Sequence, residues 1–361
     1  MKVVENNSRV PRFAFLVAAG VGLVAGLVAA LGLLDVAPVP ARLAADHGPL
    51  MVFGFVGGAI GLERTVAVRA SWAWAGPVFH VLGVLTLLAG APTTAPAFFF
   101  ALSFVVLGAI YTTIYRRQAT LSILVQATGV VGGVSAAVLW GVGFSFATAM
   151  PLAVLYVVAT IIGERMELAR LTVAGSSAEV HITVAVYALA LAALVFLESP
   201  AIGYVLMGVA LLAVAVVTAR VDVARRLVHS SGLPRYSAAC MLAGYLWLVL
   251  AGVVWVAFGH AAGGLTYDVA VHAVFVGFVM SMIFAHAPII VTSVLRVKVP
   301  YHPALYVPLV LLQASLVVRF IGDARGAIMG WQAGGIVGVV AIICFLATAS
   351  TLGIRHARKE A

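Results

Sequence analysis

Residues 13–34 read FAFLVAAGVGLVAGLVAALGLL, twenty-two residues without a charge or a polar side chain. A helix crossing the ~30 Å hydrocarbon core of a bilayer needs about 20 mainly apolar residues, and this run supplies them. It is also longer than the apolar core of a cleaved secretory signal, so a retained span is expected. The same reading applied outward finds eleven more such runs, separated by charge, Pro or Gly: 48–68, 72–91, 95–115, 119–142, 148–164, 180–197, 201–219, 237–258, 267–291, 303–322 and 328–351. The runs are continuous rather than alternating with period two, which argues for helices and against a β-barrel. The expected fold is an all-α integral membrane protein, one polytopic domain of twelve transmembrane helices over residues 1–361.

Composition agrees. Of 361 residues, 64% are apolar and 9% charged, against about 25% charged in soluble proteins; mean hydropathy is +1.16. A soluble chain of this composition could not cover its surface with polar groups. That excludes a secreted globular enzyme, a nucleic-acid binder and a disulfide scaffold. Cys240 and Cys344 lie inside apolar runs and read as small core residues. Small-xxx-small spacings such as Gly54–Gly58, Gly57–Gly61 and Gly129–Gly133 read as packing seams.

The net charge of +9 has a topological explanation. With a cytoplasmic N-terminus, 18 of the 21 basic residues, from Lys2 to Lys359, fall on the inner side. Only Arg42, Arg319 and Arg325 fall outside. Basic residues collect on the cytoplasmic side of membrane proteins, so both termini are expected in the cytoplasm and the protein in the cytoplasmic membrane. The largest inner loop, about 220–236, carries Arg225, Arg226 and Arg235 and reads as an orientation signal resting near anionic lipid.

Ionisable side chains at membrane depth are costly, and each is a functional candidate. Of nine histidines, His229, His302 and His356 fall in inner loops or the tail and His260 in an outer loop. His80 lies mid-span, and His181 and His286 lie towards the inner ends of the seventh and tenth spans. His47 and His272 fall in the outer third, at the starts of the second and tenth. Two neutral imidazoles on facing helices suit the axial positions of a haem iron or part of a copper site. Met51 is a further ligand candidate, with His286 and His80 secondary. Read from the residues alone, a hydrogen bond to a neighbouring helix accounts for each histidine slightly better.

A second polar layer lies at the inner face: Glu63-Arg64 ends the second span, Glu164-Arg165 the sixth, and His181 begins the seventh. Acid–base pairs of this kind lock helix ends and shield charge from lipid. The functional reading is a proton path past Glu63, Glu164, His181 and His286. His272 and His286, fourteen apart, share a helical stripe about 40° wide and are separated by about 21 Å along it. Pro288 follows and marks a bend.

The stretch His47-Gly48-Pro49-Leu50-Met51-Val52-Phe53-Gly54-Phe55 resembles the H-x-H-E-M-x-F-G-F signature of the NnrS family, twelve-span membrane proteins that bind haem and copper and are linked to nitric oxide stress. Val271-His272-Ala273 with Gly277 and Met282-Ile283 is similar to that family's L-H-A-x-x-x-G-x-x-x-x-M-I stretch. More distantly, the arrangement resembles the large subunit of haem–copper oxidases, whose low-spin haem ligands lie in spans two and ten. The resemblance implies haem b with His47 and His272 as axial ligands, a small diatomic gas such as nitric oxide as ligand, a redox partner, and copper less directly. Whether the chain is an oxidoreductase is left open. Pro49 and Leu50 stand where the signature has a histidine and a glutamate. Position 274 is Val, and the sixth span has no histidine, so an oxygen-reducing haem–copper centre is not expected. The rival expectation is a proton-coupled transporter or permease using the intramembrane His and Glu residues, and the weakest is a chaperone handling copper or haem.

Overall fold

A computed structural model describes residues 9–170, 174–259 and 263–360. Lys2 and His260 lie outside the described residues. Among the described residues there is no β-strand, and twelve helices are long and apolar enough to cross a membrane. They are α1 (Arg12–Leu33), α2 (His47–Val68), α3 (Ser71–Ala89), α4 (Thr94–Arg117), α5 (Leu121–Gly141), α6 (Phe146–Leu168), α7 (Ser177–Glu198), α8 (Pro200–Val221), α9 (Gly232–Phe258), α10 (Gly264–Thr292), α11 (Pro303–Ala324) and α12 (Ile328–Lys359). Each expected span corresponds to one of them. Large apolar side chains are left on the outside, among them Leu191 (64% exposed), Leu246 (68%) and Met329 (79%). Water would penalise such a surface and lipid does not. This is a multi-pass membrane protein.

The chain divides into two compact units, residues 1–160 and 161–361. In the first, α1 and α2 touch through backbone. A Cβ on Gly22 would come within 2.9 Å of the Gly54 carbonyl carbon, so only glycine allows this approach. The Gly129–Gly133 spacing is a packing seam, where a Cβ on Gly129 would meet the Tyr156 carbonyl oxygen at 2.8 Å. Phe53 of α2 anchors an aromatic cluster with Phe100, Phe104, Trp140 and Phe146, at centroid distances of 5.4–6.0 Å. In the second unit α7–α8, α8–α9 and α11–α12 pack as antiparallel neighbours, and α9 lies against α10. Every residue from 149 to 163 in α6 is buried.

Two helices depart from regular α geometry. Residues Leu50–Gly57 of α2 and Ala273–Met280 of α10 are π-helical. Each segment runs eight residues, far beyond the usual single-turn bulge, and such wide turns concentrate at functional sites. One begins three residues after His47, the other directly after His272.

Candidate functional site

In the first unit, the polar centre of α2 is built on its π-helical turn. His47 Nδ1 lies 2.8 Å from the Gly26 carbonyl oxygen of α1. A carbonyl only accepts, so Nδ1 carries the proton and Nε2 the lone pair. Met51, one turn on, packs its thioether against the same Gly26. Just before the helix, burial pushes the Asp46 carboxyl above its ordinary value, against the opposing pull of Arg42 4.0 Å away. Arg42 itself is tied to α3 by a hydrogen bond to the Leu87 carbonyl. His80, almost wholly buried on α3, donates from Nε2 to the Gly54 carbonyl at 2.6 Å. That bond ties α3 to the π-helical turn. At the other end of α2, Glu63 and Arg64 pair at 2.9 Å, with Arg64 buried.

In the second unit, His272 of α10 is held from its own helix. Its Nδ1 donates to the Asp268 carbonyl at 2.9 Å and lies 3.2 Å from an Asp268 carboxylate oxygen. Asp268 in turn accepts two bonds from Arg319 of α11, at 2.7 and 2.6 Å. The Arg319 guanidinium lies 4.9 Å above the Trp331 ring of α12. A histidine whose Nδ1–H is held by carbonyl and carboxylate keeps its lone pair on Nε2, the arrangement that orients metal-ligating histidines. Asp268, four residues before His272 and one turn away, was the readable signal for it; Arg319, 51 positions on, was not.

Deeper in α10, a hydrogen-bonded chain runs from Trp247 through Gln313 to Ser281. Below it, Arg165 of α6 grips Asp222, just past the end of α8, through Nη2–Oδ1 at 2.8 Å and Nε–Oδ2 at 3.1 Å. Tyr245 of α9 donates to Asp222 at 2.6 Å, and so does the Ala224 N–H at 2.8 Å. Burial raises the Asp222 carboxyl pKa, but the Arg165 bond and charge, with Tyr245 and Ala224, outweigh it and hold Asp222 below the ordinary carboxylate range. His286 closes the cluster. Its Nδ1 donates to the Met282 carbonyl at 2.7 Å, and its Nε2 accepts from Arg165 at 3.1 Å. Glu164 is near enough to act on His286 electrostatically. Pro288 lies inside α10, and three residues before it the Ala285 carbonyl accepts from Ser237 of α9.

The second unit thus brings Glu164, Arg165 and His286 together with Asp222 and Tyr245, neither of which the sequence singled out. His181 is exposed on α7. Both ring nitrogens of His286 are engaged. Among the described residues no group of three or more His, Cys, Asp or Glu could hold a metal ion, and both cysteines are free thiols.

Twelve apolar helices with ionisable groups fixed at membrane depth define a multi-pass membrane protein with polar centres in both of its units. Over residues 12–354 the chain matches the family described as a domain of unknown function, DUF8744, and it belongs to that family. It matches no curated protein.

Proposed function

We propose that the protein is a haem-binding component of the cytoplasmic membrane, with both termini inside, handling electrons or a small diatomic gas such as nitric oxide. One observation carries the reading. His47 and His272 each stand at the head of a π-helical segment, with Nδ1–H bound by a backbone carbonyl, so in both the lone pair sits on Nε2. That donor chemistry fits axial ligation of haem iron. A haem bound through such an imidazole would supply one-electron transfer, or gas binding where a coordination position opens. The chain's own part is to fix the two tautomers, through Gly26 for His47 and Asp268 for His272. A copper centre is not part of this reading, since among the described residues no group of three or more His, Cys, Asp or Glu converges.

The test is the spectrum of protein purified from cells supplied with a haem precursor. A Soret band is expected, reduced or broadened in His47→Ala and in His272→Ala and unchanged in His229→Ala and His356→Ala. A colourless wild-type protein overturns the proposal. Loss of the band in His80→Ala or His286→Ala with its retention in His47→Ala overturns the ligand assignment.

A second reading, a proton-coupled permease, is favoured by the buried Arg165–Asp222–Tyr245–His286 cluster, because charge enclosed at membrane depth commonly serves a transport path. Proton flux into liposomes carrying a colourless protein, abolished by Glu164→Gln, would support it over the haem reading.

A further inference from the structure

The second unit contains a pocket open to its surroundings, of about 570 Å³, where α9 and α11 begin, lined by Arg235, Ser231, Tyr301, Tyr306, Val228 and Ala239. Its polar groups are three hydroxyls and one guanidinium, all able to donate hydrogen bonds, and among the described residues no carboxylate lines it. The Tyr306 ring is braced edge-on by Tyr236 at 5.3 Å. It lies close enough to feel the charge of Arg235. The surroundings are one-signed. Segments 220–235 and 296–298 carry Arg220, Arg225, Arg226, Arg235, Arg296 and Lys298 against the single acid Asp222, whose carboxylate is already committed to Arg165.

Neither the haem reading nor the permease reading uses this cavity. Hydroxyls free to donate, a guanidinium and the local excess of positive charge favour an anion, and guanidinium with hydroxyls matches phosphate oxygens. Size narrows the choice. The cavity is many times the ~30 Å³ share of one water, more than a bare inorganic anion fills. Its place narrows it further, because both bounding helices are membrane spans that start here, at the level where bilayer headgroups lie. Val228 and Ala239 give the apolar contact that a glycerol backbone requires.

We propose that this cavity binds the phosphodiester headgroup of an anionic phospholipid, with Arg235 as the charge partner and Tyr301, Tyr306 and Ser231 as neutral donors. Basic pockets between spanning helices are suited to such headgroups. The site anchors the start of α9 to that of α11, which ties both helices to lipid composition.

The full-length protein in nanodiscs of phosphatidylcholine, with or without phosphatidylglycerol, provides the test. A third sample has phosphatidylcholine alone with inorganic phosphate in the buffer. Retained lipid is counted by native mass spectrometry and the thermal midpoint is read for each sample. Phosphatidylglycerol is expected to be retained and to raise the midpoint, and inorganic phosphate to do neither. Arg235→Gln should weaken phosphatidylglycerol binding roughly fivefold, the share of one basic contact, and Tyr301→Phe should weaken it less. Arg225→Gln, whose guanidinium bonds the Arg220 carbonyl outside the cavity, should leave binding unchanged. Equal losses in Arg225→Gln and Arg235→Gln would reduce the effect to general surface charge and overturn the site. Equal protection by inorganic phosphate, or no preference for phosphatidylglycerol, would overturn the lipid assignment.

Discussion

Arg165 and Asp222 face each other as a two-pronged ion pair, 57 positions apart in sequence, with side chains 7% and 2% exposed. Burying both charges is costly, and the cost is offset only because every lone pair of Asp222 is addressed: two prongs from Arg165, one bond from Tyr245 and one from the Ala224 N–H. Removing one partner leaves the other charged and enclosed. Asp222→Ala should therefore destabilise the detergent-solubilised protein by roughly 3–5 kcal/mol. The apolar double variant Arg165→Met with Asp222→Leu should recover most of the loss. Thermal midpoints of the three proteins decide it, and a double variant no better than the single one would show that Tyr245 and His286 depend on the pair.

The same pair predicts a pH dependence. Asp222 titrates lower in the folded protein than its ordinary 3.8, so the folded state binds its proton less readily than the unfolded state. The stabilisation is complete above pH 3.8 by a unit or so and drains away as pH falls through 3.8 towards the depressed folded value. The acid limb of a stability–pH curve should flatten in Asp222→Asn relative to wild type. An unchanged limb would mean that other carboxylates govern acid unfolding.

A glycine pair on α2 separates packing from propensity. A Cβ on Gly58 would lie 2.3 Å from the His80 ring, whereas one on Gly61 meets nothing within 4 Å. Gly58→Ala must push His80 off the Gly54 carbonyl and should cost about 1–3 kcal/mol. Gly61→Ala should be neutral or up to about 1 kcal/mol stabilising, since alanine is the better helix former. Equal midpoints for the two variants would rule out the close packing of His80 on α2.

The spans were legible because hydropathy is a local property: twenty apolar residues announce a helix wherever its neighbours lie. The π-helical segments were not. Leu50–Gly57 and Ala273–Met280 are almost wholly apolar, and a change of helical period leaves no mark on a run with no polar face. Of the site, His47 and His272 could be singled out by depth, and Glu63–Arg64 by adjacency. Arg165 read as the partner of its neighbour Glu164, yet its fork closes on Asp222, a contact made 57 positions away that adjacency cannot signal. Asp222 had a faint signal as the single acid in the basic stretch 220–226. Gln313 and Trp247, 66 apart, had none.

The proposed orientation rests on charge and can be tested directly. Basic residues at Arg116, Arg117, Arg225 and Arg226 flank even-numbered spans, and few lie on the other side. Reporter fusions after Arg117 and Arg226 should score as cytoplasmic, and fusions after Ala91 and Asp323 as external. Reversal of all four would invert the protein, and reversal of one would mean that a helix does not cross.

Asp268 offers the sharpest test of the histidine chemistry. Its carboxylate takes both prongs of Arg319 and stands 3.2 Å from His272 Nδ1, while its backbone carbonyl holds the same Nδ1 at 2.9 Å. Asp268→Asn removes the negative charge and leaves the carbonyl, so His272 keeps its tautomer but loses the anionic neighbour of its ring. If His272 holds a haem as proposed, loss of a nearby negative charge would stabilise oxidised iron less. The Soret band should therefore persist while the midpoint potential rises, by on the order of 60 mV for each tenfold change in a one-electron equilibrium. The substitution also strands the Arg319 charge, which would lower stability. The double variant Asp268→Asn with Arg319→Gln should restore stability without restoring the potential. Recovery of both together would assign Asp268 to packing alone, and a potential unmoved in the single variant would separate Asp268 from the electronics of His272.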